Sequence, residues 1–72
     1  LYNDLTILQN LEFYSGVYGV PRKLRREKIN WVIATCGLEG RETLITGQLP
    51  GGWKQRVAFG ASVMHEPDIL FL

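Results

Sequence analysis

The stretch Leu49-Pro50-Gly51-Gly52-Trp53-Lys54-Gln55-Arg56 decides the fold, because a proline and two glycines lead directly into an amphipathic helical pattern. Proline is favoured in the first turn of a helix, where its missing N–H costs no hydrogen bond. Glycines have no side chain to keep a ligand from the free N–H groups of that turn, and the helix dipole places partial positive charge at the same end. The stretch therefore predicts an anion site at the start of a helix.

The helix after the two glycines has one predicted apolar stripe. Its members recur at three- and four-residue spacing and are Trp53, Val57, Ala61 and Met64. This spacing turns one face towards a core and leaves Lys54 and Arg56 outside that face. Pro67 disfavours helical geometry in the residue before it, so we expect the helix to end near Glu66.

The chain has the composition of one small globular domain. It has 72 residues, 46% of them hydrophobic, and its 8 Lys and Arg against 7 Asp and Glu give a net charge of +1. This balance argues against a disordered chain and against a strong field that would attract nucleic acid or a membrane surface. The single cysteine, Cys36, rules out an internal disulfide and a site with several cysteine ligands. We expect Cys36 to be a small core residue rather than a nucleophile.

A first helix is predicted from Thr6 and Gln9, whose three-residue spacing is that of a capping box. It should end near Tyr18, because the glycine that follows suits the left-handed conformation of a helix C-terminus. Two apolar stripes fit this helix, either Leu8, Leu11 and Tyr14 or Ile7, Leu11, Tyr14 and Tyr18. We expect most of its aromatic side chains to lie in the core, and the alternative is an exposed aromatic surface formed by Phe13, Tyr14 and Tyr18.

A second helix is predicted from about Arg22 to Cys36. Pro21 stands where a first helical residue would, and Gly37 ends the helix. Its predicted buried stripe consists of Leu24 or the stem of Arg25, followed by Ile29, Val32, Ile33 and Cys36.

A basic cluster in the first turns of this helix raises the hypothesis of nucleic-acid binding, since such clusters neutralise phosphates. Its members are Arg22, Lys23, Arg25, Arg26 and Lys28. Glu27 dilutes the cluster and no base-reading motif accompanies it, so we interpret it as a solvated helix face and expect no nucleic-acid partner.

Residues 38–48 follow no clean period, and we expect Leu38, Leu44 and Ile45 to anchor them. A short helix around Arg41 to Leu44 is one option for this segment. His65 is interpreted as a structural residue in the last turn of the third helix, where a partial positive charge suits the helix dipole.

The order of the segments resembles the signature-motif region of ATP-binding cassette ATPases. Leu49 to Arg56 matches the signature loop and the start of its helix, His65-Glu66-Pro67-Asp68 matches the turn that follows, and Ile69-Leu70-Phe71-Leu72 matches the start of the Walker B strand. Leu5 to Leu11 also resembles the first helix after the Q-loop of that family. The resemblance is closest to the drug-exporter type of cassette.

The resemblance implies a mainly α fold. Residues 1–72 would be the helical subdomain fragment of an α/β P-loop ATPase, with three to four helices and a truncated C-terminal strand that ends at the start of Walker B. We therefore expect these residues to be part of a larger protein. An apolar strand without its sheet exposes an unpaired edge, so we also expect the isolated fragment to self-associate.

The resemblance also implies which residues bind ATP. The signature loop, here Leu49, Pro50, Gly51, Gly52 and Trp53, would contact ATP held by the opposite subunit of a head-to-tail dimer, with Mg²⁺ in the intact dimer. The family usually has Ser at the position of Pro50 and Gln at that of Trp53. No Walker A loop stands in these residues, so no catalytic residue and no metal ligand are assigned, and the fragment alone should be inactive.

The complete protein would, by the same resemblance, be an ATPase that drives export of a drug-like solute from the cytoplasmic face of the membrane. Its partners would be a second ATPase subunit and the transmembrane permease subunits, which would approach the stretch from Tyr2 to Tyr14. Two alternatives remain open at this point. One is a cassette ATPase that acts on nucleic acid or ribosomes without a membrane partner, and the other is a free-standing helical interaction module.

Overall fold

A computed structural model describes residues 1–64 of the chain. Within them lie three α-helices, α1 (Ile7–Val17), α2 (Arg22–Thr35) and α3 (Gly51–Val63), and a short 3₁₀ helix at Thr46–Gln48. The only β pairing in residues 1–64 is an isolated antiparallel bridge between Thr6 and Ile45. The mainly α fold is therefore confirmed. The predicted strand Ile69 to Leu72 and the turn that contains His65 lie outside the described residues.

Helix α1 begins at the predicted capping box. The Gln9 N–H donates to Thr6 Oγ1 at 3.1 Å, and the Thr6 N–H donates to Gln9 Oε1 at 2.9 Å. Tyr18 caps the C-terminal end, and Gly19 follows in the left-handed conformation with φ of 72°. Both predicted ends of the helix are confirmed, because each depends on residues that are neighbours in sequence.

Helix α2 also has the predicted extent to within one residue. Pro21 is the N-cap rather than the first helical residue, with an extended ψ of 140°, and Cys36 caps the other end. Gly37 leaves the helix with φ of 69°, a left-handed value that favours glycine. Helix α3 ends at Val63, before the predicted end near Glu66, which is not among the described residues.

The three helices enclose one apolar core. Its buried members are Ile7, Leu11, Ile29, Val32, Ile33, Leu38, Val57, Ala61 and Met64. The stripe of α3 is confirmed, with Trp53 half-buried at its start. Helices α2 and α3 approach each other closely at Gly60, where an added Cβ would lie 2.7 Å from Val32 Cγ1. Glycine is required there because no other residue fits between the helices without a shift.

The prediction that most aromatic side chains of α1 lie in the core was wrong. Phe13 and Tyr18 are 43% and 41% exposed, and only Tyr14 is half-buried. They form an exposed aromatic surface with Tyr2, which we define as Tyr2, Phe13, Tyr14 and Tyr18. The core of so small a fold is filled by the aliphatic residues, and the rings pack on one another instead, with the Tyr2 and Phe13 centroids 4.9 Å apart.

Lys28 was also wrongly placed on a solvated face. Its side chain is 1% exposed, and Nζ donates to the Met64 carbonyl oxygen at 2.9 Å. A cation at the C-terminal end of α3 is favoured by the helix dipole. The predicted stripe of α2 holds from Ile29 to Ile33. Of the two alternatives for its first member, Leu24 is 43% exposed, whereas Arg25 is half-buried.

The segment between α2 and α3 contains a turn where a short helix was one option. The Leu44 N–H donates to the Arg41 carbonyl oxygen at 3.0 Å, and the only helical residues of residues 38–48 are the three of the 3₁₀ helix. Leu38 is buried as predicted, whereas Leu44 is 45% exposed. The chain runs instead along the start of α1, where the Ile7 N–H donates to the Leu44 carbonyl oxygen at 3.0 Å.

Candidate functional site

The start of α3 presents two unpaired backbone donors. Pro50 is the N-cap, and its carbonyl oxygen accepts from the N–H groups of Trp53 at 3.0 Å and Lys54 at 3.1 Å. The N–H groups of Gly51 and Gly52 have no acceptor within residues 1–64. A Cβ on either glycine would meet nothing within 4 Å, so both amides are open to a ligand. This arrangement is the anion-binding geometry of a helix N-terminus.

Trp53 stacks with two arginines. The guanidinium carbon of Arg41 lies 4.2 Å from the ring centre and that of Arg56 lies 4.5 Å from it. Arg41 belongs to the turn before the 3₁₀ helix, and the other two residues belong to α3. The stack therefore joins that turn to the first turns of α3 and places two positive charges at the Trp53 ring.

A shallow groove of about 560 Å³ adjoins Gly52, between the C-terminal end of α2 and the first turns of α3. Polar groups of Thr35, Gln55 and Arg56 line it together with the ring of Phe59. Phe59 is 61% exposed, so the groove is open on that side.

Cys36 also lines this groove and was predicted to be a core residue. It is half-buried and packs against the core, and burial raises the pKa of its thiol, while the charge of Arg56 lowers that pKa in part. A thiol with a raised pKa is protonated at neutral pH and is a poor nucleophile. The prediction of a packing role is confirmed.

The signature-like loop is anchored to the N-terminal segment, which we define as residues 1–6. The Leu49 N–H donates to the Thr46 carbonyl oxygen at 3.2 Å, and the Thr46 N–H donates to the Leu5 carbonyl oxygen at 2.9 Å. The Gly47 N–H donates to the Asn3 carbonyl oxygen, also at 2.9 Å. A Cβ on Gly47 would lie 2.8 Å from that oxygen, so this approach requires glycine.

Asn10 connects these segments from inside. It is fully buried on α1, donates from Nδ2 to Thr46 Oγ1 at 2.8 Å and to the Tyr2 carbonyl oxygen at 3.0 Å, and accepts from the Tyr2 N–H at 3.0 Å. Asn10, Thr46 and Arg41 were not among the functional residues predicted from the sequence. A signal for Asn10 was present, because it lies at helical spacing between Ile7 and Tyr14 on the apolar stripe, where an amide must find partners.

Curated proteins match this segment along most or all of its length. The chain is 50% identical over all 72 residues to the "Probable multidrug ABC transporter ATP-binding protein YbhF" of Escherichia coli (strain K12), and it covers 12% of that protein. The protein of the same name from Shigella flexneri gives the same identity and coverage. The chain is 42% identical over 65 residues, 90% of its length, to the "Methionine import ATP-binding protein MetN 2" of Enterococcus faecalis (strain ATCC 700802 / V583), of which it covers 19%.

The chain belongs to the ATP-binding cassette family. It spans about an eighth of the length of the first relatives, 12% in each case. No family model and no solved structure matches it. The mainly helical structure of residues 1–64 agrees with a helical subdomain of a cassette ATPase.

The five residues of the predicted cassette site lie together at the start of α3. Gly51 and Gly52 supply the open amides, and Leu49 and Trp53 pack against the core beside them. Pro50 supplies neither a hydroxyl nor an N–H, so the backbone of the glycines carries the donors that remain. The loop thus keeps the helix-terminus geometry despite its departures from the family pattern.

No helix within residues 1–64 is both long enough and apolar enough to cross a bilayer. No group of three or more His, Cys, Asp or Glu within the same residues could hold a metal ion.

Proposed function

We propose that the complete protein is the ATP-binding subunit of an ABC transporter and that Leu49 to Trp53 is its signature loop. The observation that supports this proposal most is the pair of unpaired, side-chain-free amides of Gly51 and Gly52 at the start of α3. In the complete protein residues 1–72 would form the helical subdomain that carries this loop.

The donor set suits a phosphate group. Gly51 and Gly52 would donate their N–H groups to phosphate oxygens of ATP held by the opposite subunit, where the positive end of the α3 dipole favours negative charge. ATP supplies a phosphoanhydride bond whose hydrolysis drives transport, and Mg²⁺ would be held by acidic residues elsewhere in the dimer. Arg41 and Arg56 add positive charge at the ring of Trp53, the last residue of the loop.

The aromatic surface suits contact with a permease subunit. It lies in and next to the stretch from Tyr2 to Tyr14, and Tyr2 is 50% exposed. Exposed aromatic rings that pack on one another are typical of protein interfaces, because they bury a large area at low conformational cost. The second ATPase subunit would meet the glycines of α3. This arrangement would place the protein at the cytoplasmic face of the membrane.

We propose export of drug-like solutes as the transport function, since the relative that is 50% identical over the whole chain carries a multidrug name. A second candidate is import, favoured by the 42% identity to a methionine import protein. Uptake of labelled methionine and efflux of a fluorescent dye by vesicles that contain the complete transporter separate the two. ATP-dependent dye efflux without methionine uptake supports export, and the reverse result supports import.

ATP turnover by the complete protein tests the role of the loop. Gly52→Glu places a carboxylate where phosphate would approach, so we expect turnover to fall at least about tenfold, as when one oxyanion donor is lost. Gly52→Ala is the matched control, because its Cβ would meet nothing within 4 Å, and it should keep most of the turnover. Full turnover in Gly52→Glu would contradict the proposal.

A further inference from the structure

We infer that Asn10 and Thr46 are positioning residues that fix the position of the signature loop relative to the aromatic surface. A displacement of the aromatic surface is thereby transmitted to the signature loop, and the reverse. The inference rests on the proposed function, because it assigns to these two ends the permease contact and the ATP contact. Neither residue touches the nucleotide in this account. Both act through the backbone segments they join.

Asn10 fixes the aromatic end of this connection. Its side-chain amide pairs with both backbone groups of Tyr2, accepting from the N–H and donating to the carbonyl oxygen, each at 3.0 Å. The Tyr2 ring in turn packs edge-on against Phe13, with centroids 4.9 Å apart. Asn10 thus sets where the backbone of Tyr2 lies relative to α1, and a displaced Tyr2 would break both bonds.

Thr46 fixes the loop end. Its side-chain oxygen accepts from Asn10 Nδ2 at 2.8 Å, and its carbonyl oxygen accepts from the Leu49 N–H at 3.2 Å. Leu49 is the first residue of the signature loop and precedes Pro50, whose fixed φ leaves the backbone little freedom to absorb a shift. A movement of Thr46 therefore reaches the glycine amides within a few residues.

Both side chains are fully buried, which makes the connection sensitive to geometry. Asn10 and Thr46 are each 0% exposed, and no side-chain nitrogen or oxygen buried in residues 1–64 lacks a hydrogen-bond partner. In a site without water a displaced partner leaves a polar group unpaired, so the bonds hold as a set or are lost as a set. Transmission between sites requires an element with discrete arrangements, and a set of bonds that is either intact or lost as a whole meets that requirement.

The test compares ATP turnover of the ATP-binding protein alone with its turnover in the complete transporter in liposomes. The quantity measured is the ratio of the second rate to the first, which we call the coupling ratio. Thr46→Val removes the hydroxyl at constant shape, and we expect it to lower the coupling ratio about three- to tenfold while basal turnover changes little. Thr46→Ser keeps the hydroxyl and should keep the ratio.

A second variant perturbs the same connection from the backbone. Gly47→Ala places a Cβ 2.8 Å from the Asn3 carbonyl oxygen and should push the N-terminal segment away, with the same loss of coupling. Thr43→Val is the matched control for Thr46→Val, because Thr43 is exposed and its hydroxyl has no hydrogen bond within residues 1–64. A variant that only lowers the folded fraction lowers both rates equally and leaves the ratio unchanged.

An unchanged coupling ratio in Thr46→Val and Gly47→Ala would overturn the inference, and so would a wild-type ratio of one. The Gly52→Glu variant separates this failure from that of the proposed function. If Gly52→Glu is inactive and the coupling ratios do not move, only the inference fails. If Gly52→Glu keeps full turnover, the proposed function fails and the inference fails with it.

Discussion

The guanidinium carbon of Arg41 lies 4.2 Å from the centre of the Trp53 ring, which the guanidinium carbon of Arg56 also approaches, to 4.5 Å. This contact spans the short 3₁₀ helix and ties the turn at Arg41 to the start of α3. It also gives a role to Trp53, which stands where cassette proteins usually have Gln. A polar side chain there would leave both guanidinium groups without an aromatic partner.

Replacing Trp53 should therefore destabilise the chain in a graded way. Trp53→Gln loses both cation–π contacts, each worth about 0.5–1 kcal/mol, together with the burial of the ring. Trp53→Phe keeps a ring and should cost less. Urea-induced unfolding of the 72-residue chain measures the difference, and equal stabilities for the two variants would show that the stack contributes nothing.

Pro50→Ser should raise ATP turnover by the complete protein. Serine restores a hydroxyl and an N–H where the family usually has them, and a hydrogen bond to a charged group contributes about 1.5 kcal/mol or more. We expect turnover at subsaturating ATP to rise by about tenfold, which is what that free energy gives. Lower turnover in Pro50→Ser than in the wild type would mean that the loop does not contact phosphate as proposed.

Lys28→Met should destabilise the chain although it removes a charge from the basic cluster. The Met64 carbonyl oxygen loses the bond from Lys28 Nζ in a buried place, a loss that costs about 1–3 kcal/mol. Lys23→Met, on the exposed side of the same helix, should change the free energy of unfolding by less than about 0.5 kcal/mol. Chemical denaturation of both variants checks this, and similar free energies for the two would be the contrary result.

Two glycines inside helices should respond to alanine with opposite signs. Gly60→Ala puts a Cβ 2.7 Å from Val32 Cγ1 and should destabilise by about 1–3 kcal/mol through overpacking. Gly16→Ala meets nothing closer than the Arg25 guanidinium at 3.9 Å, so it should stabilise α1 by about 0.5–1 kcal/mol through helix propensity. Thermal unfolding of the two variants measures the sign of each change in stability. A stabilising effect of Gly60→Ala would contradict the close approach of α2 and α3.

The sequence predicted the features of this fold that depend on near neighbours. The capping box of Thr6 and Gln9, the left-handed Gly19 and Gly37 and the Pro-Gly-Gly start of α3 are each fixed within a few residues, and each is found in the structure. The five residues of the candidate site could be named for the same reason, since they are consecutive.

The features that were missed depend on residues far apart in sequence. Lys28 pairs with Met64 and Asn10 pairs with Thr46, in both cases across 36 positions. A basic residue in a basic cluster gives no local sign that it will be buried, because its burial is decided by where another helix ends. The exposure of the Phe13 and Tyr18 rings also depends on residues distant in sequence, because aliphatic residues of the other two helices occupy the core.

Hydrogen exchange at the amides of Gly51 and Gly52 tests whether these two amides bind phosphate of ATP. In the complete protein without nucleotide both amides should exchange rapidly, because they are exposed and have no acceptor among the described residues. Under conditions where ATP is bound but not turned over, peptides that cover Leu49 to Arg56 should show slowed exchange at both positions, and Gly52→Glu should lose that protection. Equal exchange with and without ATP in the wild type would contradict the account.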